Sequence, residues 1–134
     1  MESRFERGLK KLKEIDGKGG EQVLDSLKDI APDFAQMLVE FPFGDIHSRP
    51  GVDIKTREIA VLATLAALGN AAPQLKVHLN AALNVGCTPA EITEILMQTA
   101  VYAGFPAALN ALFAAKEVFR ERGLLPLVAA KGKA

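Results

Sequence analysis

The sequence predicts an all-α fold, a bundle of about six or seven helices. Three observations predict it. Apolar residues recur at three- and four-residue spacings along nearly the whole chain. Pro and Gly cut the sequence into pieces of helical length. No segment carries a convincing run of alternating apolar and polar residues, so no half-buried strand is expected.

Taken in order, residues 4–15 place Phe5, Leu9, Leu12 and Ile15 on one stripe, with Arg and Lys elsewhere. DGKGG breaks that helix, and a second runs over 21–30 with Val23, Leu24, Leu27 and Ile30. Pro32 suits the first turn of a third, through Phe34, Met37, Leu38 and Phe41. FPFGDIHSRPG then reads as a loop, rich in breakers and polar side chains. Asp53 caps the next helix. Its body, IAVLATLAAL, is apolar on almost every face, as in helices buried inside a domain or between subunits. Pro73 stands near the start of a helix that ends at Gly86. Thr88-Pro89-Ala90-Glu91 is a capping box with Pro at the first helical position. Ile92, Ile95, Leu96, Thr99 and Tyr102 form the stripe that follows, and Gly104-Phe105-Pro106 ends it. The last long helix, AALNALFAAKEVFRER, is again apolar nearly all round until its charged end.

A chain of 134 residues suits one domain, assigned to 1–123, with 124–134 as a tail. Hydrophobic residues make up 49%, enough for a core. Sixteen basic and sixteen acidic residues cancel, so no basic excess offers a phosphate footprint and nucleic acid is not an expected partner. One cysteine forms no internal disulfide and asks for no oxidising compartment. MESRFERGLKK lacks an apolar signal core, and the longest apolar stretch is too short to span a bilayer. A cytoplasmic protein without membrane contact is expected. Two helices that are apolar nearly all round, both rich in Ala, are hard to bury in so small a domain, and they predict a homo-oligomer. The alternative is a monomer with an unusually apolar core. His47 and His78 have no partner at helical ligand spacing, so no metal is expected.

Four stretches carry a resemblance: SRPGVDIKTR, the His of LKVHLNAALNVG, the TPAEI helix start and the YAGFPAA run. Together, over about residues 30–120, they resemble the carboxymuconolactone decarboxylase family. The resemblance implies an alkylhydroperoxidase-like helical fold, assembled as trimers or hexamers. That superfamily has a peroxidase branch, patterned as a Glu, then C-x-x-C, then a His four residues on. Glu58 and His78 occupy the flanking places to within one inserted residue, but Ala71 and Gln74 stand in the cysteine places. A dithiol peroxidase needs one thiolate to attack peroxide and a second thiol to resolve the product. Cys87 lies on the far side of His78, beyond Gly86, and does not replace them. The decarboxylase branch removes CO2 from 4-carboxymuconolactone in aromatic degradation, without a cofactor. Its members often carry Trp where this chain has His47, and Ser where it has Glu58.

That chemistry sets three tasks: hold a carboxylate, stabilise an enolate oxygen, and deliver a proton to carbon. Arg suits the first, and Arg49 and Arg57, flanking the PGVD turn, are the candidates. His78 is the candidate acid or enolate stabiliser, sharing a helix face with Gln74. Otherwise it is a satisfied core histidine. Glu58 either orients His78 or relays its proton, unless it is simply an acid favoured near a helix N-terminus. Tyr102 is a substrate-binding candidate, with a core or interface role as the plainer alternative. His47 stands in a segment expected to wall the pocket, or is a solvated loop residue. Cys87, just before the Thr88 cap, is assigned to packing. A small carboxylate is therefore the expected ligand of a cofactor-free lyase. The competing functions are an antioxidant enzyme with a non-classical site and a non-catalytic oligomeric binding protein.

Overall fold

In the computed structural model, which describes residues 1–127, three helix starts are capped by side chains. Ser3 and Thr88 each close a capping box, with Glu6 and Glu91 returning the hydrogen bond, and the Asp53 carboxylate accepts from the Thr56 N–H at 2.7 Å. Pro32, Pro73, Pro89 and Pro106 sit in first turns, where a missing N–H costs nothing. The described residues form α1 (Arg4–Asp16), α2 (Lys18–Leu27), α3 (Pro32–Leu38), a π-helical segment (Val39–His47), α4 (Ile54–Leu68), α5 (Ala72–Asn84), α6 (Pro89–Ala103) and α7 (Phe105–Glu121). No strand occurs among them, so the all-α expectation holds. None of these helices is long and apolar enough to cross a membrane. Residues 128–134 of the expected tail lie outside the described residues.

Two boundaries differ from expectation, each for a local reason. DGKGG interrupts the chain only at Gly17, whose φ of 54° turns the backbone before the helix resumes at Lys18. The expected loop FPFGDIHSRPG is helical through His47, in wide π turns. Pro42 has no N–H and would collide with a carbonyl one α-turn back, and the wider turn relieves that conflict. Tertiary contact supports the segment. It packs against α1 at Gly8 and Gly44, where a side chain on Gly44 would come within 2.7 Å of the Arg4 carbonyl oxygen. Arg4 and Arg7 add bonds to Asp45 and the Gly44 carbonyl.

The core has two parts. Leu62, Leu75, Leu79, Ile92, Leu96 and Val118 are among the residues joining α4 to α7. Leu12, Ile15, Val39, Phe43 and Ala81 tie α1 and the π segment to α5. Helix α5 belongs to both and carries His78 between them. The nearly all-apolar helices are not wholly buried in one chain. On α4, Leu62 and Ala66 are buried, while Ala60, Ala67 and Leu68 are exposed. On the outer face of α6 and α7, Val101, Tyr102, Phe105, Leu109 and Phe113 are exposed.

Candidate active site

Glu58 and His78 meet across the α4–α5 pair. Glu58 lies four residues before Leu62 and eight before Ala66, on the one stripe of α4 that faces inward. Its side chain is 0% exposed. His78 follows Leu75 by three residues and precedes Leu79, so α5 turns it toward the same interior. His78 Nδ1 lies 2.8 Å from Glu58 Oε1. An ionised carboxylate only accepts, so Nδ1 carries the hydrogen and Nε2 is left for other work. Burial alone pulls the imidazole pKa down. The Glu58 hydrogen bond and charge, aided by the charge of Asp16, outweigh that and hold it above its ordinary 6.5.

His78 is 20% exposed through its side chain and opens onto a largely apolar cavity of about 280 Å³. Leu12, Leu38, Phe43, Gln74 and Val77 are among its walls. Gln74 therefore shares the cavity with His78, as their spacing on one helix face predicts. His47 is half-buried and stacks on Phe43, with ring centroids 5.2 Å apart. Its Nδ1 is buried without a partner. Burial pushes its pKa down, partly countered by the charge of Glu58. It lines a separate hollow with Ile46, Arg57, Ala60, Val61 and Thr64.

Three expected residues are not brought to His78. The Arg57 guanidinium donates to the carbonyls of Val52, at 3.1 Å, and Arg49, at 3.2 Å, and so fastens the turn before α4. Arg49 is exposed on that turn. Tyr102 is neither a core residue nor near the cavity: it is 88% exposed on α6, beside a shallow hollow with Ala63, Ala67 and Thr99. The expected stripe is buried at Ile92, Leu96 and Thr99, but its last member, Tyr102, lies in the final turn of α6 and stands outside the core. Cys87 is buried in the α4–α7 core, and burial raises its thiol pKa, which suits packing and not nucleophilic attack.

Asp16 is the group the sequence reading missed. It is the last residue of α1, 7% exposed, and its carboxylate joins Glu58 and His78 in a cluster whose ligand-type atoms lie within 4.8 Å of one another. Burial pushes its carboxyl up to about 6. The available signal was an acid four residues after Leu12, on an apolar stripe. The cluster is the one grouping among the described residues with the donor atoms for a cation. Its shortest approach is the His78–Glu58 hydrogen bond, which already directs nitrogen and oxygen at each other and fits proton handling. A set of basic residues in a groove adjoining the cavity is likewise new. The groove is open, about 730 Å³, and Lys13, Lys18, Lys76 and Arg122 line it together with the acids Glu14 and Asp16.

A helical domain with a buried imidazole–carboxylate pair beside an apolar cavity defines a class: a small protein equipped for acid–base work on an organic ligand. Comparison with known proteins agrees. The chain belongs to the carboxymuconolactone decarboxylase family, whose model matches residues 32–117. It is 36% identical over 126 residues to a 4-carboxymuconolactone decarboxylase of Acinetobacter baylyi, covering 93% of each chain. It is 29% identical over 121 residues to a nitrosuccinic acid decarboxylase of Metarhizium robertsii, covering 87% of this chain and 82% of that one. An uncharacterised 15.0 kDa protein of Paracoccus denitrificans is 32% identical over 97 residues, 72% of each chain.

Proposed function

We propose that this protein is a cofactor-free carboxy-lyase acting on a small carboxylated lactone of the 4-carboxymuconolactone type. The observation that carries the reading is the His78–Glu58 pair beside an apolar cavity sized for a small molecule. Similarity to two decarboxylases supports the reaction class. The substrate carboxylate enters a poorly hydrated cavity, which favours its loss as neutral CO2. The bond to the carboxyl carbon breaks, and its electron pair delocalises to the lactone carbonyl as an enolate. His78, held protonated by Glu58, stabilises that oxygen or gives its proton to carbon and becomes neutral. Glu58 is a positioning residue that sets the ring orientation and tautomer. Gln74 stands close enough along the cavity wall to bond a second polar group of the ligand. In the groove beside the cavity Lys13, Lys18, Lys76 and Arg122 outnumber Glu14 and Asp16, and although Lys76 also pairs with Glu117 the balance favours an anionic ligand.

Assembly belongs to the same proposal. The apolar outer face of α6 and α7 is covered by further copies of the chain, in a trimer or hexamer.

The test is CO2 release from 4-carboxymuconolactone by the purified protein, with His78→Ala beside it. Turnover by the native chain and a loss of at least about a hundredfold in the variant, with its size and helicity unchanged, are expected. Equal rates in the two would remove His78 from the reaction. No release from the native chain would exclude this substrate.

A further inference from the structure

Asp16 occupies a place that does nothing for stability. Its side chain is 7% exposed, and its Oδ1 has no hydrogen-bond partner. It ends α1, where the negative end of the helix dipole repels a carboxylate. A second buried carboxylate, Glu58, shares its cluster, and that residue's Oε2 is also without a partner. A buried, unpaired acid in such a place is the kind of local cost that folded proteins carry at working sites.

Its position also has a property that no other titratable side chain among the described residues shares. Asp16 lines the apolar cavity with His78, and it lines the open polar groove on the other side. With Val23, Ser26 and Val77 it forms the wall between the two, and it is the titratable member of that wall. The titratable and charged groups that share its cluster, cavity or groove are His78 and Lys76 from α5, Glu58 from α4, Lys13 and Glu14 from α1 itself, Lys18 at the start of α2, and Arg122 just after α7.

We propose that Asp16 is the relay that returns a proton from solvent to His78 after each turnover. The inference rests on the carboxy-lyase reading and adds a step to it. When CO2 leaves, the substrate carbon takes a proton from the His78 ring; that N–H bond breaks and its electron pair stays on nitrogen. The neutral imidazole must then be recharged, yet the cavity around it is mostly apolar. The Asp16 O–H gives its proton to the ring, directly after a side-chain rotation or through one bridging water, over a span of at most 4.8 Å. Asp16, now a carboxylate, takes a proton from a buffer acid or hydronium in the groove. The sum is substrate carboxylate plus one proton giving product and CO2. A carboxyl that titrates at about 6 is suited to exchange in both directions near neutrality.

The experiment compares the native chain with Asp16→Asn and Asp16→Glu. For Asp16→Asn, kcat for 4-carboxymuconolactone is expected to fall at least about tenfold with KM within about twofold. The lost rate is expected to return in proportion to added imidazole buffer, a small acid that titrates near neutrality and is able to enter the groove. Asp16→Glu is expected to keep a larger share of the rate. Tm of Asp16→Asn is expected to rise, which also shows that the variant folds. An unchanged kcat, or a loss that imidazole does not restore, overturns the relay while leaving the lyase reading intact. If the native chain releases no CO2, the lyase reading fails for this substrate, and the relay is judged without substrate by NMR. Solvent exchange of the His78 ring proton should then slow at least about tenfold in Asp16→Asn, and equal exchange overturns it.

Discussion

Replacing Glu58 by Gln keeps the shape of a fully buried side chain and removes its charge. In the native chain the His78 N–H donates to Glu58 Oε1 at 2.8 Å, inside the protein, where water competes little. A charge-assisted hydrogen bond of this kind is worth about 1.5–3 kcal/mol to the protonated ring. That corresponds to a fall of about one to two in the pKa of His78, because each unit is about 1.4 kcal/mol. Burial, which opposes the charged ring, would then have only the weaker charge of Asp16 against it. The His78 pKa should drop from above 6.5 to below it. The assay is a two-dimensional NMR titration of the ring, with the pH profile of kcat/KM alongside. The limb of the profile that falls with rising pH should move down by the same amount. At about pH 7.5 the variant should turn over about ten- to a hundredfold more slowly. A His78 pKa unchanged in Glu58→Gln would refute the reasoning, since the pair would then contribute nothing to holding the proton.

Three further outcomes follow from the same structure. Asp16 is an acid held above its unfolded value, from 3.8 up to about 6, so its contribution to stability is greatest at low pH and falls as pH rises through that window. Asp16→Asn should match the native chain below about pH 4 and exceed it by up to about 3 kcal/mol above pH 6, read from urea midpoints; a gap independent of pH would contradict this. Cys87→Ser places a hydroxyl in the α4–α7 core and should cost about 1–2 kcal/mol of stability with kcat unchanged, whereas loss of all activity in a folded variant would revive a thiol mechanism. Leu109→Glu together with Phe113→Glu should reduce the molar mass found by light scattering to that of a smaller species, and an unchanged mass would place the subunit contacts elsewhere.

Much of this protein was determined locally and so was legible in the sequence. Helix starts at Asp53 and Thr88 depend on side chains bonding a backbone N–H three residues away, which tertiary context need not supply. The inward stripe of α1, through Leu9, Leu12 and Ile15, follows from a period of 3.6 residues. The likeness to a decarboxylase family lies in motifs that survive without knowledge of contacts. What escaped depended on distant packing. The π segment was read as a loop because Pro42 and Gly44 break an ordinary helix, whereas contact with α1 at Gly8 holds it in a wider one. Arg49 and Arg57 are a different case: their charge suits a carboxylate, but carbonyls five and eight residues back take up the Arg57 guanidinium, a local contact that charge alone does not reveal, and Arg49 stays on the exposed turn. Tyr102 lies on the stripe that α6 buries at Ile92, Leu96 and Thr99, yet at the end of the helix the core no longer covers it. Asp16 reads as an ordinary polar residue at a helix end until α1 sets it beside Glu58 and His78, which lie more than forty residues further along the chain. Local chemistry specifies helices and caps, because their partners are a few residues apart. Which buried groups share a site is decided only when the helices dock, because burial and the fields of distant charges exist only then.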